Sequence, residues 1–426
     1  MFSRINKGSG LASDVVSGAA QDSDGYMWFA TGNSLQRYDG TRFFTIHHVE
    51  GDSTSIPDAL VLHVLFDTRG RLWLLMAGNT IGILNTRSFR FTPVKVNLPE
   101  DVRNNDFFRF KEERDGSLHI VVGGYGMITY SEKNNEFSAA YNEVKLDSSK
   151  VALDLCYAGA GGNYWVATDQ GLDLYSTQTH QFLPREGNQI LTQLNKILKE
   201  DKGYGPSGTL YDTAGRFWTL TWSGRKGIPE IYHYDPKLKK LSSYSSSLAT
   251  STTGYFDVEN VLQQKDGTVW VYGNNIFARL NQKTNRFEDV RNESLLNHGV
   301  MVETIFQMYE DRDKNLWLCT SSGLYFFNPG KQFFVNFSNN RDDGKKYTNS
   351  SNAVIQTKDG TIYTTAWGAG IFSYDSNFNI IQNPIIPVAK ANDGVSVWDM
   401  TERKNGEIWI TIWQQFAKTI FPSTDF

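Results

Sequence analysis

The chain is poor in cysteine, in long apolar runs and in charge of one sign, and each shortage closes a class of answers. Two cysteines in 426 residues, Cys156 and Cys319, cannot build a disulfide framework and show no metal-ligand spacing. Both read as small buried hydrophobes. No run of 18 apolar residues occurs; the longest greasy stretch, Ile56 to Phe66, is interrupted by Pro57, Asp58 and His63, so nothing here spans a membrane. Lys and Arg number 42 against 46 Asp and Glu, a net charge of -4, and no basic excess points to nucleic acid as a partner. His47 and His48 are adjacent in a strand-like run and face opposite sides, while the other histidines lack acidic or cysteine partners at metal-ligand spacing. No nucleophile elbow, phosphate loop or dinucleotide fingerprint is present. No catalytic residue, metal site or cofactor is therefore expected. Met1 to Lys7 leads straight into Gly and Ser without a signal-peptide pattern, so the chain reads either as cytoplasmic or as one from which a targeting segment has been removed.

What is abundant is aromatic residues and glycine: 11 Trp, 20 Tyr, 27 Phe and 37 Gly. Many short strands joined by tight turns need that mixture. The stretch Asp22 to Phe43 holds a turn (Asp24-Gly25), a β-like run centred on Trp28, a second turn and a further run from Leu35 to Asp39. The Trp28 position returns at Trp73, His119, Trp165, Trp218, Trp270, Trp317, Tyr363 and Trp409, at steps of 45 to 53 residues. Apolar and polar residues alternate over four to seven positions, and each copy reads as four strands: Val15–Gln21, Tyr26–Thr31, Leu35–Asp39 and Phe43–His47 in the first, ending with Phe333–Phe337 in the seventh. One helix is expected, Gln189 to Glu200, as an insertion. Four strands per unit at a period in the forties is the pattern of a β-propeller blade, with the tryptophan packing against the neighbouring blade. Asp22-Ser23-Asp24-Gly25 and Asp311 to Asn315 resemble half a calcium loop, but they coincide with the repeat's own turn and are read as turns.

The phrase from Gly10 to Val16, continued by Gln21 to Gly40, resembles the first blade of the two-component regulator propeller repeats, and the likeness runs over essentially the whole chain. Those repeats form the periplasmic sensor region of hybrid two-component systems in Bacteroidetes. In that family two seven-bladed propellers precede a small β-sandwich, a membrane helix, a kinase and DNA-binding modules, none of which this sequence contains.

The resulting expectation is an all-β fold: a seven-bladed β-propeller of four-stranded blades over residues 1–338, then the first two blades of an incomplete second propeller over 339–426. Phe2 to Ile5 is a candidate strand for sealing the ring on the last blade. A single nine-bladed ring is the alternative, disfavoured because propellers have four to eight blades.

Loops joining second to third strands converge on one propeller face. Three of them begin with an additional tryptophan: Trp222, followed by Arg225 and Lys226, then Trp367 and Trp413. A flat ring beside amides and guanidinium suits a sugar, whose C–H face stacks while its hydroxyls bond. Trp367 and Trp413 equally fit packing between propellers. Tyr125 in its Gly-flanked loop and Arg109 in the first strand of the third repeat complete the candidate ligand-binding set, and Trp398 breaks the usual first-strand pattern. The resemblance implies a non-catalytic, periplasmic sensor of glycan-derived oligosaccharide, signalling to the remainder of a sensor kinase chain, with a homodimer as a possible assembly. A polysaccharide-acting enzyme and a protein-interaction platform stay open as alternatives.

Overall fold

The computed structural model describes residues 2–32, 34–98, 102, 107–113, 115–122, 125–146, 149–158, 162–202, 204–244, 248, 255–290, 304–328, 351–366, 370–376, 380–382, 397–412 and 415–417. The chain forms two compact units, one of residues 1–294 and 299–332, the other of 295–298 and 333–426.

The first unit contains seven sheets, among the described residues, antiparallel but for one pair in the third, and built from consecutive strands except that the seventh takes its outer strand from the start of the chain. Their innermost strands are Val16–Gln21, Val61–Phe66, Phe107–Glu112, Ala152–Tyr157, Tyr204–Tyr211, Asp257–Gln263 and Ile305–Glu310. Each sheet touches the next, and the first also touches the seventh, so the series closes as a ring. The third sheet has a fifth strand, Lys95–Asn97, lying parallel to Glu136–Ser138. The helix runs from Gln189 to Asp201, capped by Asn188, whose side chain accepts from Leu191 N–H. Three apolar residues on one face, Ile190, Leu191 and Leu194, bury it against the fourth and fifth sheets.

Ring closure uses the start of the chain. Phe2–Ile5 pairs antiparallel with Gly323–Phe327 and is the outer strand of the seventh sheet. Phe333–Phe337, expected in that place from the repeat pattern, lies outside the described residues, and the position is already filled. Arg312 strengthens the joint by donating to the carbonyls of Asp22 and Ser23, both at 2.9 Å.

The turn between the first two strands has a fixed chemistry. Asp22 begins it: its carbonyl accepts Gly25 N–H at 3.1 Å, and Gly25 at φ 96° takes the left-handed conformation the turn requires. The Asp22 carboxylate then accepts Tyr26 N–H at 2.9 Å and the Trp28 indole N–H at 2.7 Å. Asp67 with Trp73, Asp212 with Trp218, and Asp311 with Trp317 repeat that indole bond at 2.8 to 2.9 Å, and Gln264 makes it to Trp270. These carboxylates are spent on the fold's own donors. Trp28 itself is fully buried against Val61, Val64, Leu72 and Leu74 of the next sheet.

The Asp22→Ala variant strands the Trp28 N–H in the core and is expected to lose about 1–3 kcal/mol. A urea unfolding midpoint indistinguishable from wild type would show that packing alone holds the indole. Trp165 is the natural counterpart: its Nε1 has no partner among the described residues.

Every innermost strand of the first unit carries a register shift two or three residues from its start, for example between Val16 and Gly18, Val61 and His63, and Val258 and Asn260. The others fall at Phe107/Arg109, Ala152/Asp154, Tyr204/Ser207 and Ile305/Gln307. A bulge leaves an extra residue out of the ladder and re-aims its side chain. Six such skipped residues, Ser17, Leu62, Leu153, Gly205, Glu259 and Phe306, line the central channel.

The second unit contains a sheet of Val354–Gln356, Ile362–Ala366, Gly370–Tyr374 and Ile380–Gln382, then one of Val397–Glu402, Ile408–Ile412 and Gln415–Ala417. Ile371, Val397, Met400, Ile408 and Ile410 form its core. Its second sheet has the same shift, between Val397 and Asp399, which makes Trp398 a bulge residue.

Candidate functional site

The channel of the first unit encloses about 1820 Å³ and is lined from all seven sheets. At one mouth, Trp222 and Tyr255 stand together, ring centroids 6.0 Å apart and planes at 40°. Trp222 is the last residue of the strand Phe217–Trp222, paired with Pro229, so it is held by a ladder and not by a loop as expected. Tyr255 precedes the innermost strand of the sixth sheet, its carbonyl accepting from Asn275 Nδ2 at 3.0 Å. The residue is 60% exposed, and Asp257 lies two positions further along the chain.

Asp257 and Glu259 enter the same cavity from that strand. Burial raises the pKa of Asp257 above the usual carboxylate value, against the opposing bonds from Val258 N–H and Tyr255. Glu259 is exposed to the channel yet surrounded by protein, so burial raises its pKa; Arg109 pulls it back and Asp257 adds to the rise.

Arg109 reaches the channel from Phe107–Glu112, one residue past the bulge. It lies 3.6 Å from Asp154, which is buried in the next sheet. Asp154 also accepts Lys111 Nζ at 2.6 Å, Thr209 N–H at 2.6 Å and Thr209 Oγ1 at 2.9 Å, tying the third, fourth and fifth sheets together. Burial would raise the Asp154 pKa, but Lys111, then Arg109 and these hydrogen bonds outweigh it and hold it at about 2. His63, also on the channel wall, is pushed down to about 4 by burial, with Arg109 adding to the shift, so it is neutral.

Of the residues expected from the sequence, Trp222 and Arg109 line this cavity. Tyr125 packs against the core formed with Trp73, Ile120 and Phe137 instead. Lys226 sits on the 223–228 hairpin and pairs with Glu230, and Arg225 is exposed beside it; neither lines the channel. Trp367 and Trp413 lie outside the described residues. Tyr255, Asp257, Glu259 and His63 were missed. Tyr255 had a signal: it is an aromatic next to Gly254 in a between-blade loop, the criterion applied only to the other loop set.

Residues 10–33 and 299–322 match the family model described as Two component regulator propeller. No curated protein matches the chain. Among solved structures, the extracellular domain of BT3049 from B. thetaiotaomicron, described as a hybrid two component system, aligns over 97% of this chain with a TM-score of 0.58 and 19% identity. The extracellular domain of BT4673 from B. thetaiotaomicron aligns over 96% with a TM-score of 0.53 and 16% identity. This chain spans 58% and 51% of the lengths of those two domains. The WD40 beta propeller domain of Doa1 aligns with 76% of this chain over 96% of its own length, at a TM-score of 0.50 and 10% identity. Among the described residues, no helix is long and apolar enough to cross a membrane. The matched segments hold the first two strands of the first and seventh sheets, neighbours at the ring's closure, and these two blades of the propeller carry the two component regulator propeller repeat.

Proposed function

We propose that the chain is a non-catalytic, periplasmic ligand-sensing module of a hybrid two-component sensor, recognising a glycan-derived oligosaccharide at the channel mouth and signalling to a kinase region elsewhere in the receptor. On this reading residues 339–426 are the first two blades of a second propeller, and ligand occupancy biases propeller or dimer arrangement. The carrying observation is the Trp222–Tyr255 pair opening into a channel whose wall carries Asp257, Asn274 and Arg109. Aromatic faces cover the apolar side of a pyranose, and carboxylate, amide and guanidinium groups bond its hydroxyls. The volume exceeds the roughly 300–1,000 Å³ of a drug-sized site, which favours an oligomer over a single sugar.

Calorimetry against oligosaccharides from plant, host and microbial glycans tests this reading. Trp222→Ala in a folded protein is expected to weaken the bound glycan at least about tenfold, near 1.4 kcal/mol. Unchanged affinity would remove the aromatic pair from the site. Asp257 and Glu259 favour one second reading, a polysaccharide-cleaving enzyme, because a carboxyl with a raised pKa is what a general acid requires. Chromatography of the same mixtures separates the two: shortened products would establish the enzyme, intact ligand the sensor.

A further inference from the structure

We propose that the channel mouth selects a ligand bearing a protonated amine, an amino sugar, over one bearing carboxylate or sulfate. This inference rests on the reading of the mouth as a glycan site. Charge on the channel wall is one-sided: among the described lining residues, Asp169, Asp257, Glu259 and Glu310 stand against the single cation Arg109. Arg109 is itself engaged by Asp154 in the wall, and His63 beside it is neutral, so neither offers a free positive charge to an anionic sugar. Glu310 lies at the far end of its strand and accepts Lys265 N–H at 2.8 Å. Three carboxylates therefore remain for the mouth. Asp169 accepts Val151 N–H through one oxygen and is exposed, and Asp257 and Glu259 follow Tyr255 directly.

The aromatic pair reinforces the sign. A cation over the face of Trp or Tyr is attracted by the ring quadrupole, and here Asp257 lines the same cavity as the Trp222–Tyr255 pair. An ammonium beside Trp222, Tyr255 and Asp257 meets aromatic rings and a carboxylate; a uronate in the same place meets a like charge. The basic hairpin nearby does not reverse this, because Lys226 is paired with Glu230 and Arg225 does not line the channel.

Calorimetry on the full chain at near-neutral pH and low salt would compare four probes: glucosamine oligomers, their N-acetylated counterparts, oligogalacturonate and 1,4-diaminobutane. The glucosamine oligomer is expected to bind about tenfold tighter than the N-acetylated one, with oligogalacturonate weakest. Glu259→Gln combined with Asp257→Asn should bring the first ratio near one. Asp169→Asn, at an exposed position, should reduce it in a protein whose fold is not at issue. Equal affinities in the wild type, or tighter galacturonate, would overturn the charge selection and leave the glycan site standing. Diamine binding without any glycan binding would keep the charge selection and overturn the glycan reading, and silence across all four would overturn both.

Discussion

Asp154→Asn is expected to lose about 3–5 kcal/mol of stability, because it leaves Lys111 and Arg109 side by side without the buried carboxylate that holds them. Asparagine keeps the volume and can still accept from Thr209, so the change isolates the charge. The acid limb of stability supplies an independent reading of the same group. Its folded pKa, about 2, lies below its ordinary value of 3.8. The associated stabilisation is complete above the ordinary value, lost as pH falls through about 2, and amounts to roughly 2–3 kcal/mol. His63 and His119 act at higher pH: burial holds both at about 4, below the ordinary 6.5. The unfolded chain takes up their protons first, so stability declines as pH falls from about 6.5 towards 4 in wild type and variant alike. Urea midpoints measured across both windows should show the variant with a shallower lower limb, Asp115 and Asp173 keeping their own share of it, and an unchanged upper one. A variant as stable as wild type, with the same acid limb, would mean that the three-sheet network contributes nothing net.

Removing residues 1–6 takes away the strand that seals the seventh sheet. Four residue pairs with Gly323–Phe327 are lost, together with the ring contacts of Phe2 to Phe277 and Phe327 at 5.7 and 5.1 Å. At a net of about 1 kcal/mol per backbone hydrogen bond, the loss is expected to be about 4 kcal/mol. The bared edge of Gly323–Phe327 is also a template for pairing with a second chain. Light scattering should therefore show self-association in the shortened protein at concentrations where the intact chain is monodisperse by the same measurement. A stable, non-associating truncation would show that the ring does not depend on this clasp.

The strand pattern and the ring were legible because both rest on local chemistry. A turn with a residue able to take positive φ, then an aromatic six residues after the turn's first acid, recurs at nearly constant spacing, and even the closing role of Phe2–Ile5 could be read. The second job of Asp22 and its equivalents, holding an indole, was hidden behind its first job as a turn former. Lys95–Asn97 escaped because a three-residue parallel pairing leaves no periodic trace. The mouth was only partly legible. Trp222 announced itself as an aromatic without a core to fill, while Glu259 looked like any polar residue of an alternating strand. Its exposure to the channel follows from a register shift against Val269–Asn274, a property of two strands together that neither carries alone.

That shift separates two demands that most strands must satisfy with the same residues. The paired positions of each innermost strand keep the sheet's hydrogen bonds and the packing between blades, whereas the skipped position faces the channel; of these, Ser17 also donates to the Val61 carbonyl at 2.7 Å and Gly205 leaves no room for a Cβ against the Thr168 carbonyl. Ser17, Leu62, Leu153, Glu259 and Phe306 show how different its occupants can be within one ring, and Trp398 stands at the corresponding place in the second unit. Recognition can therefore vary at Leu62, Leu153, Glu259 and Phe306 while the scaffold stays constant, those four blades each contributing one variable letter to the surface a ligand meets.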